Sequence, residues 1–224
     1  MNCSTSLWAS LNLGRSLTPL LTEPTLEAQV TRLLDELPRR FSLAGLSLGA
    51  IVAMALIRTA PERVSRLCLL STNPYAPTPA QRTAWLQQRS RLASGSTARE
   101  LQAELLPVLL SPEAQARMKI VHATLAMADE VGENIVDAQL QLQATRVDER
   151  PQLGRIRCPV LVVAARHDAL CSVERHREIQ ALIDGAELVV LEKAGHLSPL
   201  EVPQDLARYI EAWLAGQRLV SRPS

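Results

Sequence analysis

With 224 residues, 47% of them hydrophobic and 21% charged, the chain can bury one substantial core, or one domain carrying an insertion. A balance of 24 basic against 23 acidic residues gives no electrostatic reason to expect nucleic acid or an anionic membrane as partner, and 3% aromatic residues make a base-stacking platform unexpected. No apolar run approaches the roughly 18 residues needed to cross a bilayer, and "MNCSTSLWASLNLGRS" lacks the basic-then-apolar order of a secretion signal.

In chain order, "TLEAQVTRLLDELP" (25–38) carries Leu26, Val30, Leu33, Leu34 and Leu37 at helical spacing. "RFSLAG" (40–45) then reads as a strand and "LGAIVAMALIRTAPERV" (48–64) as a helix. "RLCLLS" (66–71), "PVLVVAA" (159–165) and "AELVVLE" (186–192) are three further strands. All four are continuously apolar rather than alternating, as expected for parallel strands covered on both faces. "SVERHREIQALIDG" (172–185) forms a helix from a Ser172 cap to Gly185, and "PQDLARYIEAWLAG" (203–216) a closing amphipathic one. This alternation predicts an α/β fold with a mostly parallel sheet and flanking helices. Residues 75–150 break it. Bounded by "NPYAPTP" and "DERP", they hold helical patterns and no convincing strand, and read as a helical insertion too long for an ordinary connection.

The four cysteines, Cys3, Cys68, Cys158 and Cys171, are scattered without a CxxC pair. Cys68 and Cys158 lie in apolar strand-like runs and read as buried, and a reduced, cytoplasmic setting is expected. No HxxxH, CxxC or clustered acid spacing supports a metal site, and no cofactor is expected.

The stretch "AGLSLGA" carries the chemistry. Ser47 stands between a strand and a helix, with Gly45 and Gly49 two residues to either side. Such a turn is tight enough that bulky side chains at those two places would collide, and glycine at both relieves the crowding. The N–H of Leu48, opening the helix, is placed to stabilise an oxyanion beside the hydroxyl. A serine hydroxyl needs a base, and the base an orienting group. Asp168 follows the third strand in "ARHDAL", and His196 the fourth in "EKAGHLSPLEVP", so both should emerge at the C-terminal sheet edge shared with Ser47. His122, His167 and His176 read as structural or solvated, His176 on the charged face of "VERHREIQ". Trp85, Leu92 and Met118 read as packing within the insertion, and Arg39-Arg40 as solvated.

Together these motifs resemble the α/β-hydrolase superfamily. "AGLSLGAIVAMALIRTAPERVSRLCLLST" is similar to its nucleophile elbow, helix and next strand. "IRCPVLVVAARHDALCS" is similar to the acid-bearing strand, and "LEKAGHLSPLEVPQDL" to the histidine loop. The resemblance implies Ser47 as nucleophile, His196 as base and then acid, and Asp168 as the group orienting the imidazole. It implies residues 1–74 and 151–224 as core and 75–150 as a cap, in the style of small capped carboxylesterases. The expected activity is hydrolysis of a small or medium carboxylic ester through an acyl-enzyme. A C–C hydrolase or perhydrolase would share the triad, and a non-catalytic ligand-binding protein on the same fold is the other alternative. The partner is then a small molecule, with the oligomeric state open. A dehalogenase or epoxide hydrolase would carry aspartate at position 47.

The resemblance departs at the front. The strand that leads into an H-G-x-G-like loop, and the loop itself, are missing, so a shortened N-terminus is expected. "GRSLTPLLTEP" is then the candidate for the strand before "TLEAQV". Two consequences are expected: an unpaired edge or gap beside "RFSLAG", and the loss of one oxyanion donor, worth roughly 3–4 kcal/mol. Backbone N–H groups of Met1, Asn2 or Cys3 are the candidate substitutes.

Overall fold

The computed structural model describes residues 6–14 and 16–217. A short helix α1 (Ser6–Ala9) is followed by α2 (Leu26–Glu36), whose start is fixed by Thr25 accepting from the Ala28 N–H at 3.2 Å. Between them, residues 16–25 form no strand, contrary to the expectation for "GRSLTPLLTEP". Pro19 and Pro24 have no N–H to give a ladder. The amides of Thr22 and Glu23 instead bond the side-chain oxygen of Gln29, at 2.8 and 3.0 Å.

Strands β1 (Phe41–Leu46), β2 (Val64–Leu70), β3 (Val160–Ala165) and β4 (Glu187–Leu191) form one parallel sheet in the order β1-β2-β3-β4. The register aligns Ala44 with Cys68, Cys68 with Leu161, and Leu161 with Glu187. Successive side chains point to opposite faces, so two cores form. Leu67, Leu69 and Val162 face a layer with Val30 and Leu33 of α2; Cys68, Leu70 and Val163 face another with Leu7, Ile210 and Trp213. Both faces of β3 are covered, and all six of its residues are buried. Cys158, read as buried, is only half-buried, because it precedes β3.

α3 (Leu48–Thr59) follows β1 and buries nine of its twelve residues. It ends at Thr59, five residues earlier than the sequence pattern suggests, because Pro61 cannot continue it and a 3-10 turn, Pro61–Arg63, follows. Between β2 and β3 lie helices only: α4 (Pro79–Ala93), α5 (Ala98–Leu109), α6 (Pro112–Gln115), α7 (Met118–Val131), α8 (Glu133–Thr145) and α9 (Arg150–Leu153). Reciprocal capping boxes, Thr78 with Gln81 and Thr97 with Glu100, start α4 and α5. Trp85 and Leu92 pack against Ala128, Val131 and Leu140, whereas Met118 is exposed. The way in and the way out are joined where the Glu149 N–H meets the Pro74 carbonyl at 2.8 Å. Buried Glu149 also accepts Arg58 Nε, at 3.0 Å. α10 (Val173–Leu182) links β3 to β4. After β4, "SPLE" forms a one-turn helix α11 (Ser198–Glu201) rather than loop, and α12 (Pro203–Leu214) closes the described chain.

Among the described residues β1 pairs only with β2, so its other side is the open sheet edge that the sequence led us to expect. Along that edge, between α2 and α3 on one side and α12 on the other, runs a cavity of about 620 Å³.

Candidate active site

The chain turns from β1 into α3 at a single residue. Ser47 has φ 54° and ψ −112°, a conformation costing of order 1–3 kcal/mol for a residue with a side chain. The surroundings hold it there. Its N–H bonds the Leu70 carbonyl at 2.9 Å, and its carbonyl accepts the N–H groups of Ala50 and Ile51, both at 3.1 Å, and the Thr72 hydroxyl at 3.3 Å. The Ser47 side chain makes no capping bond, so its hydroxyl is not spent on the helix it precedes. Leu48 opens α3, where a backbone N–H lacks an intrahelical acceptor.

The two flanking glycines differ in role. A Cβ on Gly45 would sit 2.4 Å from the Gly49 carbonyl oxygen and 2.6 Å from Ala50 N, a contact no alanine can make. A Cβ on Gly49 would meet nothing within 4 Å. The expectation that both relieve crowding is thus corrected: it is the backbone of Gly49 that presses on Gly45. Gly49→Ala should leave stability unchanged or raise it by up to about 1 kcal/mol, since alanine is the better helix former; urea unfolding reads this directly.

His196 and Asp168 arrive from elsewhere. β1 and β4 are three strands apart, about 14 Å in a sheet, so the loop after β4 must run back across β3. It is tied there by the His167 N–H to the Ala194 carbonyl at 2.9 Å. His196 is fully buried, and its Nδ1 donates to Asp168 Oδ2 at 2.8 Å. The direction follows from the acid: its other oxygen accepts the N–H groups of Leu170 and Cys171, each at 2.9 Å, which favours the ionised form. Burial pushes the Asp168 carboxyl upward, but the hydrogen bond and charge of His196 and these two amides outweigh it and hold it below the usual range. With the proton on Nδ1, the imidazole presents Nε2 as an acceptor. That nitrogen is buried and makes no hydrogen bond, to Ser47 or to any other group.

His176, read as structural or solvated on the charged face of its helix, is structural: it is fully buried. Its Nδ1 donates to the Ser172 carbonyl at 2.8 Å, and its Nε2 accepts the Thr72 N–H at 3.0 Å. Thr72 is the residue whose hydroxyl holds the Ser47 carbonyl, so His176 braces the elbow from α10. Charged neighbours on that helix hid it in sequence; the signal was its place among Val173, His176 and Ile179, the buried positions of α10. Burial lowers its pKa from the ordinary 6.5. A depressed histidine contributes stability that is fully present above its unfolded value and lost as pH falls through its folded one. Thermal stability should therefore decline as pH drops below about 6.5. His176→Gln, whose amide oxygen can still accept the Thr72 N–H, should remove that part of the decline.

The other histidines, His122 and His167, are exposed as expected, as are Arg39 and Arg40. Met1, Asn2 and Cys3, the candidate second oxyanion donors, lie outside the described residues. Donor atoms of Asp168, Cys171 and His196 lie within 4.8 Å of one another. Two of the three residues are already hydrogen-bonded to each other, and burial pushes the Cys171 thiol up to about 12, which makes it a poor thiolate ligand. The cavity along β1 reaches Ser47 and Leu48, and leucines dominate its wall, from Leu13 and Leu17 to Leu33, Leu37 and Leu43. No charged side chain lines it among the described residues. No helix is long and apolar enough to cross a membrane among those residues.

Known proteins are similar to this chain in sequence and fold. A computed family profile described as "Alpha/beta hydrolase family" matches residues 8–209. The pimeloyl-[acyl-carrier protein] methyl ester esterase of Aromatoleum aromaticum is 32% identical over 204 residues, spanning 86% of this chain and 81% of that protein. A hydrolase from Pseudomonas aeruginosa superposes with a TM-score of 0.74 at 31% identity, over 90% of this chain and 76% of that one. A thermophilic esterase from Thermogutta terrifontis superposes with a TM-score of 0.85 at 23% identity, over 96% and 86%. From the strand–serine–helix turn, the parallel sheet and these matches, the chain belongs to the α/β-hydrolase family.

Proposed function

We propose that this chain is a serine hydrolase that cleaves a carboxylic ester of a small or medium substrate through an acyl-enzyme. Ser47 Oγ attacks the ester carbonyl as His196 Nε2 takes its proton. The carbonyl oxygen becomes an oxyanion facing the Leu48 N–H at the start of α3, where the helix dipole also favours negative charge. Collapse of the tetrahedral species breaks the bond to the alcohol, which leaves with the proton from His196. Water, deprotonated by the same nitrogen, then attacks the acyl-serine, and the proton returns to Ser47 as the acid departs. Asp168 stays ionised throughout and compensates the charge on the imidazolium. Residues 75–150 act as the cap that covers this site.

One observation carries the reading: a buried Asp168–His196 pair whose outer nitrogen is an uncommitted acceptor, on loops following strands parallel to the one that ends at Ser47. Ser47 and His196 Nε2 make no hydrogen bond here; such a contact between nucleophile and base often tightens only when substrate binds. The methyl ester esterase relative supports ester chemistry in particular. In a panel of p-nitrophenyl and methyl esters of varied acyl length, the folded protein should turn over at least one, and that turnover should be lost in Ser47→Ala. A folded protein that turns over no ester would favour the non-catalytic alternative.

A further inference from the structure

The loop that carries His196 is held from two sides by one carboxylate. Glu201, 4% exposed at the end of α11, accepts the Gly195 N–H at 2.9 Å and the Ser111 N–H at 3.1 Å, both on Oε2. Its other oxygen, Oε1, is buried without a hydrogen bond. Gly195 immediately precedes His196, and Ser111 lies where α5 gives way to α6 in the helical insertion. On the other side of His196, the Leu197 N–H bonds the Leu109 carbonyl at 3.2 Å. The two segments touch closely enough that a Cβ on Gly195 would sit 2.5 Å from Ser111 N and 2.9 Å from the Leu110 carbonyl carbon.

We propose that Glu201 is a positioning residue for His196, fastening the histidine loop to residues 109–111 so that the imidazole is kept against Asp168. This deepens the triad reading and rests on it. A carboxylate in this place contributes acceptors, not a proton: two buried amides need an oxygen, and leaving them unsatisfied would free the loop to find other partners. Because one oxygen serves both amides, the insertion and the histidine loop move together or not at all. Placement of the insertion over the sheet thereby bears on the orientation of the base.

The test compares Glu201→Ala with Glu201→Gln, whose amide oxygen can still accept both N–H groups. Glu201→Ala should lower kcat about a hundredfold with KM nearly unchanged, the loss expected when a catalytic group is displaced by about 1 Å. Glu201→Gln should stay within about fivefold of the wild type, as only the charge assistance is lost. The strongly downfield proton resonance of the His196–Asp168 hydrogen bond should move or vanish in Glu201→Ala and persist in Glu201→Gln. A merely structural role would lower the melting temperature and leave that resonance in place. Wild-type kcat and resonance in folded Glu201→Ala, or a Gln variant as impaired as the Ala one, overturns the proposal.

If Glu201→Ala does not fold, Glu201→Asp decides. Its carboxylate keeps the charge but, one carbon shorter, cannot reach both the Gly195 and the Ser111 N–H groups. It should lower kcat about tenfold and shift the same resonance; wild-type values there overturn the proposal. The triad reading fails separately, through turnover retained in His196→Ala, whereas the resonance reports on the imidazole even in protein with no turnover.

Discussion

His196→Ala should lower kcat on the best ester about 10⁴–10⁶-fold while KM changes little, and Asp168→Asn should cost somewhat less. The two substitutions probe different halves of one hydrogen bond. Removing the imidazole leaves Ser47 with no base, and a serine hydroxyl near neutral pH is a weak nucleophile. Removing the Asp168 charge leaves the ring in place but lets it adopt the tautomer with Nε2 protonated, which cannot accept from Ser47. Asparagine at 168 can also no longer compensate the imidazolium that forms on proton transfer. The size of the effect follows from burial: His196 is fully buried and the Asp168 side chain with it, so no water molecule at bulk dielectric replaces either partner. Stopped-flow or steady-state assays on purified variants with unchanged circular dichroism would read this. Turnover within tenfold of the wild type in His196→Ala would remove the general base from the account.

Gly45→Ala should destabilise the fold by about 3 kcal/mol, the upper end of what an overpacked site costs. The added carbon would lie 2.4 Å from the Gly49 carbonyl oxygen, 2.5 Å from its carbon and 2.6 Å from Ala50 N. All three are backbone atoms at the start of α3, so no side-chain rotation relieves the contact. The helix would have to lift from β1, and α3 supplies more residues to its core than any other element, Ala50 to Ile57 without a break. For a chain of this length the change corresponds to a fall in melting temperature of roughly 6–12 °C. The lift would also drag Leu48 N–H away from the oxyanion position, so activity should fall at temperatures where the variant is still folded. A Gly45→Ala protein with the wild-type urea midpoint would show that the turn is looser than its geometry states.

The four strands were legible because each is a continuous apolar run, and a parallel sheet covered on both faces demands just that pattern. Their ends moved by one or two residues, as with "RFSLAG", where β1 runs one residue further to Leu46 before the chain can turn. The elbow was legible because a strand, a small–x–Ser–x–small turn and an apolar helix rarely coincide without cause. What the sequence hid depended on contacts between distant segments. Gly49 reads like Gly45 in a pentapeptide, yet only one has a backbone pressed upon it. His176 lies among Glu174, Arg175, Arg177 and Glu178, and only the packing of α10 against β3 and β4, with the Thr72 N–H on its Nε2, shows that its ring is inside. "GRSLTPLLTEP" has strand-like leucines, but its prolines and the Gln29 side chain take its backbone out of the sheet. Glu201 looks like one more charge before a proline, until Ser111, 90 residues earlier in the chain, is brought beside it.

The most direct test of the central claim, that Ser47 is an activated nucleophile, is covalent labelling by a fluorophosphonate followed by peptide mass mapping. The wild-type protein should carry one adduct, on the peptide containing Ser47, with Ser47→Ala unlabelled and His196→Ala labelled far more slowly. Folded wild-type protein that takes up no label, or a Ser47→Ala variant that is labelled as fast as the wild type, would contradict it.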